Sequence, residues 1–224
     1  MNTFKPSEDF EYFLTKFGQP FTSKPVSVET LNKYRGILPD LLLEYWQVYG
    51  FCGFKSGLLW LTNPEEYDGI LEEWLPDEEL EQHRFYVIAR SGWGELFVWE
   101  PTYGNKYSID PLLGWITEGN SDEDWISEGK TDKALEWFIT GRKPTFLDKT
   151  DSNEEPLFER SVELFGALAD NEMFTFAPFL FAGGKQDLEA VRKVDLFVHY
   201  DIVRQMKEPE VLTNRDLLRK GWGI

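Results

Sequence analysis

The sequence predicts an α+β fold: N-terminal helices packed on an antiparallel β-meander, followed by a smaller, mainly helical C-terminal domain. Three observations carry this. Apolar residues recur at helical spacing over the first 50 residues. Three β-rich runs separated by Gly, Pro and Asn turns occupy residues 85–109. From about residue 131 the pattern returns to short helical stretches broken by Pro and Gly. The expected domains are 1–130 and 131–224, and a chain of 224 residues buries roughly 70–75% of its unfolded surface without staples.

The elements follow in order. Ser7 caps a helix over Glu8–Phe17, with Glu8 and Asp9 in its first turn and Phe10, Phe13, Leu14 and Phe17 on its apolar face. Gly18 ends it, and residues 19–27 form a Pro-containing connection. A short helix opens at Ser27 or Val28 and breaks at Gly36. Pro39 suits a first helical turn, where its missing N–H costs nothing. Leu41, Leu42, Tyr45, Trp46 and Tyr49 then repeat at helical spacing up to Gly50. Gly53 and Gly57 bracket a turn before the apolar Leu58–Trp60.

Asn63 and Pro64 start a helix that carries Tyr67, Ile70, Leu71 and Trp74 on one side and ends at Pro76. Between Asn63 and Gln82 there are nine acids and no Lys or Arg, which makes the segment either a solvated face or a docking surface for a basic partner. Phe85–Arg90, Glu95–Glu100 and Lys106–Ile109 read as strands of a meander. Trp93 sits at a turn between two of them, either folded back onto the sheet or exposed as an anchor. Residues 118–130 mix acids with Ser and Gly as a surface segment or linker, and Thr131 or Asp132 caps a helix through Ile139. In the last third Phe158, Val162 and Phe165 are helical in pattern, as are Leu188, Val191 and Val194.

Composition narrows function. With 42% hydrophobic residues the chain folds, and 16% aromatic residues are too many for one interface, so most are core. The formal charge of −17 argues against binding nucleic acid or an anionic membrane directly. It fits solubility alone or a basic protein partner. One cysteine, Cys52, allows no intrachain disulfide. The N-terminus lacks a signal peptide's pattern, and no apolar run approaches about 18 residues, so the expected location is the cytoplasm.

Chemistry is sparse. The two histidines, His83 and His199, and Cys52 offer one conceivable dyad, but the apolar run around Cys52 reads as a packed thiol. No zinc or calcium spacing occurs. Gly183-Gly184-Lys185 lacks the remainder of a phosphate loop and reads as a turn. No catalytic residue, cofactor or metal is expected.

Several motifs together resemble a known bacterial arrangement. Phe17-Gly18, Pro25, Tyr34-Arg35-Gly36, the run Leu38–Trp46, Tyr49-Gly50, Gly57–Trp60 and the hairpin of residues 90–99 resemble the GAD-like domain. Pro156–Phe158, Leu164, Gly166 and Leu168, then Asp170–Pro178, Gly183-Gly184, Leu188 and Lys193-Val194 resemble the C-terminal domain of type VI secretion immunity proteins. The segment Leu38–Gly50 followed by a hairpin is also similar to the SUKH immunity superfamily.

The resemblance implies a non-enzymatic immunity protein. Its partner would be a cognate toxin, a type VI-secreted DNase with a basic nuclease domain. Candidate toxin contacts, chosen by composition, are Glu65, Glu66, Glu72, Glu73, Trp74, Glu78, Glu79, Trp93, Asp122, Asp124 and Trp125. Two other readings stay open: a SUKH-like regulatory or scaffold adaptor unlinked to a toxin, and a small-molecule enzyme using carboxylates between the domains.

Overall fold

The computed structural model describes residues 5–119 and 121–220. Met1–Phe4, the start of the stretch read for a leader, lie outside the described residues. Ser7 caps α1 (Glu8–Phe17), its hydroxyl accepting from the Phe10 N–H at 3.1 Å. Residues 22–24, expected as connection, form a short strand β1 (Thr22–Lys24). Ser27 caps α2 (Val28–Tyr34) in the same way as Ser7. Pro39 immediately precedes α3 (Asp40–Tyr49), which stops at Gly50 with φ 74°. There a Cβ would meet the Lys24 carbonyl oxygen at 2.5 Å, so glycine also permits the close approach of β1.

β2 (Phe51–Phe54) and β3 (Leu59–Leu61) flank a 3-10 turn at Lys55–Gly57. The helix expected from Pro64 begins as a 3-10 turn and becomes α4 (Asp68–Trp74). After Pro76 a further helix, α5 (Asp77–Gln82), forms where sequence pattern indicates only acidic face and loop. β4 (Tyr86–Ser91), β5 (Leu96–Glu100) and β6 (Gly104–Asp110) are the expected meander, extended by β7 (Trp115–Glu118). Then come α6 (Glu123–Ser127), α7 (Thr131–Thr140), α8 (Pro144–Leu147) and α9 (Phe158–Phe165). The chain continues through β8 (Glu172–Phe176), β9 (Val191–Asp195), α10 (Leu196–Met206), β10 (Glu210–Leu212) and α11 (Asn214–Arg219). The helix expected over Leu188–Val194 is instead a 3-10 turn leading into β9, which pairs antiparallel with β8.

The main sheet has eight strands in the order β1-β2-β3-β4-β5-β6-β7-β10. Every pairing is antiparallel except the last, where β10 runs parallel to β7. Side chains alternate across the sheet, so Phe97 and Trp99 share one face and Leu96 and Val98 the other. Phe138 of α7 packs edge-on against Phe97 at 5.6 Å, and Phe13 of α1 meets Phe54 at 5.3 Å. The opposite layer is α4 with α10, where Trp74 lies 4.9 Å from Tyr200. The sheet is thus sandwiched between helices, and one hydrophobic cluster runs from Phe10 to Val203. Each large aromatic side chain buried there removes about 150–250 Å² from water, which explains the high aromatic content.

Candidate functional site

α4 is amphipathic in a way that sorts its residues by role. Ile70, Leu71 and Trp74 are buried, while Asp68, Glu72 and Glu73 are exposed on the outer side. Pro76 interrupts the helix, and Asp77, Glu78 and Glu79 then occupy the first turn of α5, where acids suit the positive end of the helix dipole. Beside these helices runs the end of α10. Arg204 donates from Nε to the Glu73 carbonyl at 2.8 Å and pairs with Glu208 at 2.7 Å.

Between the two walls lies an open groove of about 510 Å³. It is lined by Glu72, Glu73, Asp77 and Glu208 against one cation, Arg204, with Trp74, Leu75 and Val211 among the apolar residues. Arg204 is already committed to Glu208, so the groove presents a surplus of negative charge. Among the described residues no cation pairs with Glu72, Glu73 or Asp77.

The sequence-derived candidates divide. Glu65 is exposed but paired with Lys33 at 2.5 Å, and Glu66 is exposed near Lys24. Glu72 and Glu73 line the groove, and Glu78 is exposed on α5. Glu79 is half-buried and leans on Tyr107, whose phenol pKa is raised by burial first and by Glu79 second. Tyr107 projects on the sheet face opposite Phe97. Asp122, Asp124 and Trp125 lie elsewhere, at α6 against α7. Asp122 is half-buried over Gly104, Asp124 is exposed, and Trp125 meets Trp137 edge-on at 5.2 Å.

Two aromatic candidates need correction. Trp74 is 3% exposed and Trp93 is 0% exposed, so neither presents a surface anchor. Trp93 folds back and stacks on Phe176 at 5.1 Å, with interplanar angle 5°, and its indole N–H donates to Asp148 at 3.3 Å. Composition misses Arg204 and Glu208. Their only local signal is an i,i+4 Arg–Glu pair at the end of a helix, and nothing in it points to a partner wall about 130 residues away.

The residues considered for chemistry are dispersed or silenced. Cys52 is fully buried and burial pushes its thiol up to about 12, so it stays protonated. His199 is buried beside Thr175 at 3.3 Å, and burial lowers its pKa to about 4. His83 faces Glu100 at 3.6 Å. Among the described residues no three His, Cys, Asp or Glu side chains converge as metal ligands, and no helix is long and apolar enough to cross a membrane.

A second set of charges lies at the seam between the two parts of the chain. Arg90 is fully buried, sits 4.8 Å from the Trp60 ring and donates to the carbonyls of Ser91, Ala169 and Asp170. Lys149 pairs with Asp110 at 3.4 Å; burial opposes its charge, but Asp110 and Glu95 hold its pKa above the ordinary lysine value. Asp148 accepts from the Lys149 and Phe158 N–H groups and from Trp93. Gly92 admits Phe158 to this seam: a Cβ there would lie 2.4 Å from its ring.

Comparison with known proteins places both parts. Residues 8–113 match the family model of the GAD-like domain. Residues 131–207 match that of the T6SS immunity protein Tdi1, C-terminal. The crystal structure of Atu4351 from Agrobacterium tumefaciens shares the fold, with a TM-score of 0.75 at 20% identity over 92% of each chain. No curated protein matches the sequence.

Proposed function

We propose that this chain, a GAD-like domain followed by a type VI secretion immunity C-terminal domain, is an immunity protein that neutralises a toxin by binding it. The observation that carries the reading is the match of residues 131–207 to an immunity protein's C-terminal domain. The role is stoichiometric binding in the cytoplasm, with no catalytic residue assigned.

Charge supplies the finer part. A DNase must carry basic surface to hold the phosphate backbone. An inhibitor of charge −17 with unpaired Glu72, Glu73 and Asp77 along a groove is complementary to such a surface. We therefore assign the toxin to the nucleases and the contact to the outer side of α4 and α5. An ordinary interface of about 1,200–2,000 Å² would extend beyond the groove. The exposed Glu65, Glu66, Glu78 and Asp124 and the half-buried Glu79, Asp122 and Trp125 remain proposed contacts.

The test begins with a pull-down of the tagged protein from its native cells. A stoichiometric partner whose DNA cleavage stops on adding this protein is the expected result. An immunity protein's gene is expected beside its toxin's gene, so recovery of the protein alone, from cells shown to express such a neighbouring toxin gene, would sink the reading. Charge reversal of Glu72, Glu73 and Glu78 to Lys should then slow association about tenfold or more at low salt. An unchanged on-rate would remove α4 and α5 from the interface.

A further inference from the structure

Only three non-glycine residues among the described ones have positive φ: Lys55 at 46°, Ser56 at 56° and Glu154 at 64°. Lys55 and Glu154 line the same cavity, of about 440 Å³, between the β2–β3 turn and residues 144–159. Such backbone is strained and persists where surrounding structure enforces it. The size is that of a ligand pocket, not of a packing defect.

Its lining has two characters. Pro144 and Pro156 give it an apolar wall backed by the buried Leu58 and Phe158, whereas Asp148, Glu154 and Glu159 give it carboxylates. Its one cation, Lys55, already pairs with Glu159 at 2.7 Å, so the charge left over is negative. Asp148 is held in place, its Oδ1 accepting from the Lys149 N–H at 2.7 Å, the Phe158 N–H at 2.9 Å and the Trp93 indole at 3.3 Å. A partly apolar cavity with one fixed carboxylate, Asp148, and two exposed ones, Glu154 and Glu159, suits a long aliphatic stem ending in a planar cation. A neutral apolar side chain would leave the carboxylates unused, and an anion would be repelled.

We propose that this cavity receives an arginine side chain of the bound partner, with the stem against Pro144 and Pro156 and the guanidinium at the carboxylates. Buried arginines are frequent anchors of protein interfaces. The assignment of the arginine to a partner rests on the immunity reading. The pocket's preference for arginine does not, and it can be measured without a toxin.

The experiment uses the full chain, labelled with ¹⁵N, and N-acetyl-arginine amide as probe. Saturable shifts are expected at the amides of Thr145 and Thr150 and at the Trp93 indole N–H, which reports on Asp148 through their hydrogen bond. A dissociation constant of about 1–10 mM suits a fragment of this size. The neutral analogue N-acetyl-norleucine amide should bind at least about fivefold more weakly, given charge-assisted hydrogen bonding to the arginine. Thr145→Trp, which fills the mouth from an exposed position, should abolish the shifts. Glu154→Gln with Glu159→Gln should erase the preference for arginine while leaving the fold's spectrum intact. Equal binding of both probes would overturn the charge argument, and no saturable shift would overturn the pocket. Either failure leaves toxin inhibition untouched, and failure to capture a toxin leaves the pocket's preference standing.

Discussion

The outer side of α4 and α5 and the seam around Arg90 use charged residues in opposite ways. On the helices Glu72, Glu73 and Asp77 stand in solvent with no paired cation among the described residues, and their removal would orphan no buried group described. At the seam Arg90 satisfies three carbonyls, two of them in the Ala169–Asp170 segment, and Lys149 and Asp148 are bonded to neighbours on both sides. Charge at the seam joins the two parts of the chain into one core. Charge on α4 joins no two parts of the fold. The difference predicts that seam variants lose stability first, whereas α4 variants change association alone.

The largest effect should come from Arg90→Ala. It empties a fully buried volume and strips donors from Ala169 and Asp170, which together costs about 3–5 kcal/mol. Arg90→Met keeps most of the volume and should recover part of the loss. Urea denaturation of the two variants measures the difference. If Arg90→Ala unfolds at the wild-type midpoint, the seam is not held by this side chain.

Next comes a pH effect inside the second part of the chain. His199 is 4% exposed, packed against Phe179 at 5.4 Å and beside Thr175. Burial lowers its pKa to about 4, below the unfolded value of about 6.5. The unfolded chain therefore binds more protons between these values. The stabilisation is complete above about pH 6.5 and is lost as pH falls towards 4, by about 3 kcal/mol in all. His199→Gln should flatten this dependence relative to wild type, whatever the acidic surface contributes in both. Parallel curves of stability against pH would place the histidine in contact with water.

Tyr200→Phe sharpens the same comparison with one atom. The hydroxyl donates towards the Gly94 carbonyl at 2.8 Å and the Ile109 carbonyl at 3.1 Å, tying α10 to the sheet. Its loss should cost about 1–2 kcal/mol with no change in the m-value. A fall in m would instead mean that α10 detaches before the sheet unfolds.

Much of this layout is legible in the sequence wherever the information is local. Ser7 and Ser27 cap as their residue types require, Gly50 stops α3, and the meander follows its turn residues. Local pattern misleads where pairing decides. Val191 and Val194 fit a helical period, but β9 is held as a strand by its register with β8. β10 is three residues long and exists only because β7 offers it a parallel edge. Trp93 at a turn tip could point either way on local grounds; Phe158, Phe174 and Phe176, far along the chain, draw it inward. The acids of α4 and α5 are legible as a cluster, but the facing wall with Arg204 and Glu208 is not.

The smallest expected effect on stability belongs to those acids. Glu72→Gln with Glu73→Gln removes two charges from a surface that already repels itself, without touching the Glu73 carbonyl that holds Arg204. The melting temperature should stay within about 2 °C of wild type, since exposed substitutions away from special features are near neutral. Raising the salt concentration should narrow even that difference, because exposed charges are screened over about 8–10 Å. A clear loss of stability would mean that these carboxylates serve the fold as the seam charges do. The contrast between the two regions would then fail, and with it the physical case for α4 as the surface a basic partner meets.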